Sequence, residues 1–206
     1  MSIRKKILAI SIGPVLVLGV ITLLFMLTMV KSSLMDEVQD ALKGTAAATL
    51  AAYDQNTGDY LESTNGDIWK GSYNISKSES LVDRIKENTG MDVTFFYGNK
   101  RIMTSALDKK GNRILGSEAG ERVVNQVIKG KKPFFSTNVS LDGTRNYGYF
   151  IPVYQNGTTD QVIGMVFVGT NKARKDAIVN KILGSIMMAL LVVMLLFQVL
   201  LFLQFQ

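Results

Sequence analysis

Thr89-Gly-Met-Asp-Val-Thr-Phe-Phe-Tyr-Gly-Asn-Lys-Arg-Ile-Met-Thr-Ser105 decides how the middle of this chain folds. Residues 92–97 and 101–105 are rich in β-branched and aromatic side chains, and Gly98-Asn99-Lys100 between them is a hairpin signal. The stretch therefore reads as two antiparallel strands. More strands follow: Phe134–Leu141, a turn at Asp142-Gly143, a long strand Thr144–Tyr154, a turn over 155–160, and a last strand over 161–169. Alternation puts Tyr147, Tyr149, Ile151 and Val153 on one face of the long strand, and Asn146, Gly148, Phe150 and Pro152 on the other. Pro152 cannot donate to a ladder, so it belongs near an edge or a bulge.

Upstream the period changes. Leu34, Val38, Ala41, Thr45, Ala48 and Ala52 recur at alternating steps of four and three, the spacing of a coiled-coil seam. A long helix through 34–52 is expected, pairing with its copy in a homodimer, packing on its own sheet, or doing each on a different face. Asn56-Thr-Gly58 ends it, and a short strand-like patch lies around Asp67-Ile-Trp-Lys-Gly71. Ser80-Leu-Val-Asp83 has capping-box spacing and opens a short helix that Thr89-Gly90 closes. A second helix is expected over 118–129, stopped by Gly130. This order describes one α+β domain with a central antiparallel sheet of about five strands, at about 140 residues ample for its own core.

Residues 7–30 and 182–205 carry no charge, and each segment is long enough to cross roughly 30 Å of hydrocarbon. Arg4, Lys5 and Lys6 precede the first segment and a lone Lys31 follows it, which keeps the N-terminus in the cytoplasm and sends the middle of the chain out. The expected division is a cytoplasmic 1–6, a transmembrane helix 7–30, an extracytoplasmic domain 31–181 and a second transmembrane helix 182–205. The basic residues beside the second span, Lys172, Arg174, Lys175 and Lys181, lie on its outer side, so a basic cytoplasmic continuation beyond this sequence is expected. The formal charge of +6 is scattered and interleaved with acids. A nucleic-acid footprint would be a clustered stripe, so no nucleic-acid partner is expected. The chain has no Cys and no His, which removes disulfides, thiolate chemistry and any Ser/His/Asp triad. No sequence-near carboxylate pair or activated lysine points to catalysis, so the chain reads as a non-enzyme without cofactor or metal.

The hairpin quoted above, together with Gly130 followed by Phe134-Phe135, Tyr147-Gly-Tyr-Phe-Ile-Pro-Val153 and Val162-Ile-Gly-Met-Val-Phe-Val-Gly169, resembles single Cache domains. These are PAS-like extracytoplasmic sensors of bacterial chemoreceptors and sensor kinases. With the flanking helices the likeness covers nearly the whole chain. It implies a PAS-like α+β fold and the sensor region of a methyl-accepting chemotaxis receptor, binding a small molecule over the sheet and signalling through its membrane helices. It also implies a cytoplasmic signalling module, expected as a continuation or a partner of this chain. A histidine kinase output is the alternative, and a membrane-tethered assembly protein without a small ligand is a second one.

A sheet pocket for a small organic acid needs a few converging donors over an apolar floor. Arg101 opens a strand and can bind a carboxylate bidentately, and Thr104 offers a hydroxyl three residues on. In related citrate-type sensors a basic residue and a polar residue three positions later contact the ligand from this hairpin. Here the second position is Thr104, so the tricarboxylate affinity of those sensors does not carry over. Tyr147 and Tyr149 are candidates for the facing wall, and Thr94 or Phe96 for the floor. The blander reading makes Arg101 a solvated hairpin charge and the tyrosines ordinary sheet residues.

Overall fold

The computed structural model describes residues 3–204. Met1, Ser2 and Phe205, which belong to the expected N-terminal tail and second span, lie outside the described residues. The chain divides into two units, one built from the apolar helical segments towards the two termini and the other spanning Val38–Lys175.

Helix α1 runs without interruption over Ile3–Asp54, and α4 over Lys172–Gln204. Both are long and apolar enough to cross a membrane. Apolar side chains such as Leu18, Phe25, Leu196 and Leu200 are exposed along them, an arrangement costly in water and natural in hydrocarbon.

Three short strands, β1 (Tyr60–Glu62), β2 (Ile68–Lys70) and β3 (Tyr73–Asn74), make a small antiparallel sheet. Sequence reading finds only β2, since β1 and β3 are too short to show a period. Helix α2 (Glu79–Thr89) ends in Gly90 with φ of 68°, the left-handed cap that glycine favours. Its start differs from the capping-box expectation. Ser78, not Ser80, is the N-cap residue, and it makes no side-chain cap bond. The Ser78 hydroxyl is 2.9 Å from the Tyr53 hydroxyl and donates to the Ile75 carbonyl instead.

Strands β4 (Asp92–Tyr97), β5 (Lys100–Thr104), β6 (Phe134–Leu141), β7 (Thr144–Tyr154) and β8 (Val162–Asn171) form the main sheet in the order β5-β4-β8-β7-β6, every neighbour antiparallel. The turn at Asp142-Gly143 has positive φ at both residues, as a two-residue hairpin loop requires. Pairing with β6 stops at Phe150, so Pro152 lies where β7 has only β8 beside it. The expected helix over 118–129 begins later, as a single turn α3 (Glu121–Val123) that widens into a π-type turn over Val124–Lys129.

One face of the sheet carries Val93, Phe95, Val166, Val168, Tyr149 and Ile151, as the register shows. Phe95 packs there against Tyr53 of α1 and Tyr60 of β1. The opposite face carries Phe96, Phe150, Met165 and Phe167, which join Ala106, Val127 and Leu141 in a second cluster. The helical seam expected on α1 splits. Val38 turns inward with Leu42, Ala46, Thr49 and Tyr53, while Ala41 and Ala48 stay exposed.

Asp83 of α2 forms a fork with Arg113, at 2.9 Å to Nη1 and 2.5 Å to Nη2, and Arg113 Nη1 also donates to the Thr104 carbonyl at 2.7 Å. These bonds tie the 106–116 loop to α2 and β5. The hydrogen bonds from Arg113 hold the Asp83 carboxyl below the ordinary carboxylate range. A depressed carboxylate stabilises the fold above its unfolded pKa, and that contribution vanishes as pH falls through the folded value. We expect the melting-temperature gap between wild type and Arg113→Gln to be widest near neutrality and to close below about pH 4. Thermal melts of the detergent-solubilised chain across pH 3–7 measure it, and a gap independent of pH contradicts the assignment.

Candidate functional site

Arg101 stands at the centre of the site because of a bulge. Phe96 pairs with Arg101 and Phe95 with Met103, leaving Ile102 without an opposite number. The extra residue resets the alternation, so Arg101 and Thr104 emerge on the same face of the sheet although three residues apart. That face is the one bearing Phe96, Phe150 and Phe167.

A cavity of about 390 Å³ opens there, within the range of small-molecule sites. Phe96, Phe134, Phe150 and Phe167 give it aromatic walls, with Val123 and Val139 between them. Phe134, Phe150 and Phe167 follow one another across β6, β7 and β8 at paired positions. Their rings stand 6.4 Å and 4.8 Å apart in sequence along this row. Phe167 lies low over the sheet because Gly148 and Gly169 leave room: a Cβ at Gly148 would come 2.5 Å from the Phe167 ring. Glycine inside a strand often marks such an approach. Ser136, Asn138 and Ser140 of β6 add polar groups, and Glu118 and Arg122 complete the lining from exposed positions.

Arg101 is 8% exposed. Among the described residues its guanidinium donates one hydrogen bond, from Nη1 to the Ile114 carbonyl at 3.3 Å, and stacks 5.3 Å from the Phe96 ring centroid. Its Nε is buried without any partner. Burial lowers its pKa, with the charge of Asp92 acting the other way. Even so lowered, a guanidinium remains charged at neutral pH. The site thus holds a cation in an aromatic cavity with most of its donors unused, an environment whose charge suits an anion.

The other sequence candidates distribute differently. Phe96 lines the cavity beside Arg101. Thr94 and Thr104 share its face but lie fully buried, their hydroxyls 2.7 Å apart, with Thr104 Oγ1 also bonded to the Val93 carbonyl and the Ala106 amide. They brace the hairpin and do not line the cavity. The structure does not bring Tyr147 and Tyr149 to the cavity: the register puts them on the opposite face, with the Phe95 side of the sheet. Tyr147 stacks on Phe135, and its hydroxyl accepts a hydrogen bond from Lys172 Nζ at 2.7 Å. Asp92 pairs with Lys86 at 2.7 Å. Sequence reading misses Phe134, Phe150 and Phe167, whose signal is present only once the strand register is known. Gly148 and Gly169 are the clue available earlier.

Lys172 is also the first residue of α4, and no linker separates it from β8. The Asn171 side chain closes the junction, its Oδ1 accepting from the Arg174 amide at 2.9 Å in the manner of an N-cap. The strand that floors the cavity is therefore continuous with the second apolar helix.

Comparison with known proteins agrees with this architecture. None of the curated proteins matches the sequence. Among solved structures, the extracellular ligand binding receptor from Desulfohalobium retbaense DSM5692 is similar, with a TM-score of 0.51 and 14% identity over 75% of this chain. This chain spans 26% of that receptor's length, and the likeness is one of fold. The DcuS sensor domain of E. coli gives a TM-score of 0.41 at 13% identity, covering 74% of this chain and 98% of its own. Methyl-accepting Chemotaxis protein X gives 0.48 at 16% identity, covering 76% and 65%. The family model described as single Cache domain 3 matches residues 73–182. That match takes in more than half of the chain, including the hairpin, the cavity and the whole main sheet, and the chain belongs to the single Cache domain family.

Proposed function

We propose that this protein is a membrane-anchored sensor that binds a small anionic molecule in the aromatic cavity and passes its state along β8 into α4. The buried Arg101 with its unpartnered Nε carries this reading, because a fixed cation among phenylalanines has little structural use unless an anion joins it. In this reading residues 7–30 and 182–205 span the membrane, 1–6 is cytoplasmic and 31–181 is extracytoplasmic, as the Arg4-Lys5-Lys6 cluster favours. Arg101 and Phe96 contact the ligand, and Thr94 and Thr104 support them. The exposed Ala41 and Ala48 on the 34–52 helix offer a face for a homodimer. The output is chemotaxis signalling through a downstream cytoplasmic module.

The mechanism is a population shift. Ligand bound to Arg101 and to the Phe167 side of β8 favours one position of that strand, and α4 follows because no hinge intervenes. The test is a thermal-shift screen of the whole chain in nanodiscs against organic acids, amino acids and amines. An acid is expected to raise the melting temperature, and Arg101→Ala to weaken its binding by about 10–100-fold, the worth of a hydrogen bond to a charged group. If only amines stabilise the chain, or if Arg101→Ala leaves the acid response intact, the reading is wrong.

A further inference from the structure

Resting on that reading, we infer that the cavity takes a monocarboxylate carried by an aromatic ring on a short spacer, of the phenylacetate and phenylpropionate kind. The charge of the site limits the ligand to one carboxylate. Arg101 is the only buried charged side chain lining the cavity among the described residues. Its Nη1 is turned to the Ile114 carbonyl and its Nε has no partner, so a single carboxylate is enough to complete the guanidinium. Arg122 and Glu118 lie exposed at the lining with opposite charges, so they add no net attraction for a second or third acid group. Arg122 is moreover engaged over the Phe134 ring, 5.3 Å from its centroid.

The walls define the rest of the ligand. A dicarboxylate or tricarboxylate of similar length would press its remaining anionic groups against Phe134, Phe150 and Phe167, where ring faces are electron-rich and only the neutral Ser136, Asn138 and Ser140 of β6 stand near to meet them. An aromatic ring meets the same surfaces favourably in offset or edge-to-face contact. Phe150 and Phe167, tilted 40° to each other with centroids 4.8 Å apart, both line the cavity. Phe167 lies low over Gly148 and Gly169, and the volume of about 390 Å³ beside it exceeds that of a ring on a short spacer.

The experiment is calorimetric titration of the full chain in nanodiscs, with empty nanodiscs as the blank for partitioning. The probes are 3-phenylpropionate, butyrate, succinate, citrate and phenethylamine. We expect 3-phenylpropionate to bind at least tenfold more tightly than butyrate or succinate, with citrate and phenethylamine weaker still. Arg101→Gln is expected to reduce its affinity at least tenfold and Arg101→Lys to give an intermediate loss, since a lysine keeps the charge without the fork. Phe150→Leu serves as the second variant, because it leaves the guanidinium in place. It is expected to weaken 3-phenylpropionate severalfold while changing butyrate by less than twofold. Tighter binding of succinate or citrate, with dependence on Arg101, overturns the aromatic class and leaves the anion sensor standing. Equal binding of butyrate and 3-phenylpropionate also overturns it. Tightest binding by phenethylamine, or no binding by any of the acids, overturns both.

Discussion

Phe95→Ala is expected to remove about 3–5 kcal/mol of stability, a large part of what a domain of this size possesses. Phe95 is fully buried in β4, which is hydrogen-bonded on both sides, to β5 and to β8. Its ring is met by Tyr53 at 5.2 Å, edge-on, and by Tyr60 at 5.8 Å, nearly parallel. One side chain thereby joins the last turn of α1, the small sheet and the main sheet. The tyrosines are themselves fixed, Tyr53 through Ser78 and Tyr60 through Asp54 at 2.8 Å. Burial pushes both phenols above their usual range. Removing the ring leaves a cavity bounded by side chains that cannot collapse into it. Urea unfolding of the solubilised chain, followed by near-ultraviolet circular dichroism, measures the loss. Phe95→Leu should cost far less, and equal costs for the two would show that the ring contacts contribute nothing.

The double change Gly148→Ala, Gly169→Ala is expected to abolish ligand binding while the domain stays folded. An added Cβ at 148 would stand 2.5 Å from the Phe167 ring and 2.8 Å from Val139, and one at 169 would meet the same ring. Val139 packs against the same cluster, but the Phe167 ring meets both added methyls and is the part expected to give way. The open space beside it is the cavity, and the displaced ring fills it. Overpacking of this kind costs about 1–3 kcal/mol, which the fold survives. Affinity for 3-phenylpropionate should fall at least tenfold. A 4-fluorophenylalanine placed at 167 should show a changed fluorine resonance in the double variant. Adding Phe167→Leu restores space and should return most of the binding. A double variant that binds as wild type does would mean the ring does not set the cavity's depth.

Much of the sheet is legible in the sequence because its turns are chemically explicit. Gly98-Asn99 and Asp142-Gly143 fix the ends of β4, β6 and β7 to the residue. The helix through 34–52, observed as part of α1, and the five-stranded α+β architecture follow from periodicity in the same way. The alternation along β7 is also correct, with Tyr147 and Tyr149 on one side and Phe150 on the other. Which side holds the cavity is not a local property. It depends on Phe95 receiving Tyr53 and Tyr60, a contact between residues 42 and 35 positions apart in the numbering. The start of α2 fails for a related reason. Asp83 has the spacing of a capping residue, but Arg113, far along the chain, offers it two charged donors. Arg101 is visible as a candidate from its position in the hairpin, whereas its burial beside Phe96 without an ion pair among the described residues emerges only in three dimensions.

The direct passage from Asn171 into α4 has a further consequence. A strand advances about 3.3 Å per residue and alternates sides, while a helix advances about 1.5 Å and turns about 100°. Asn171 marks the place where one rhythm becomes the other. Gaining or losing a single residue there would rotate the whole of α4 by more than a quarter turn relative to the cavity floor. The 155–160 turn can change length with no such penalty, because both its ends are held by the β7–β8 ladder. Related chains should therefore vary freely in the length of that turn and keep the spacing between Phe167 and Lys172 constant, so that the count of residues at this boundary is itself inherited.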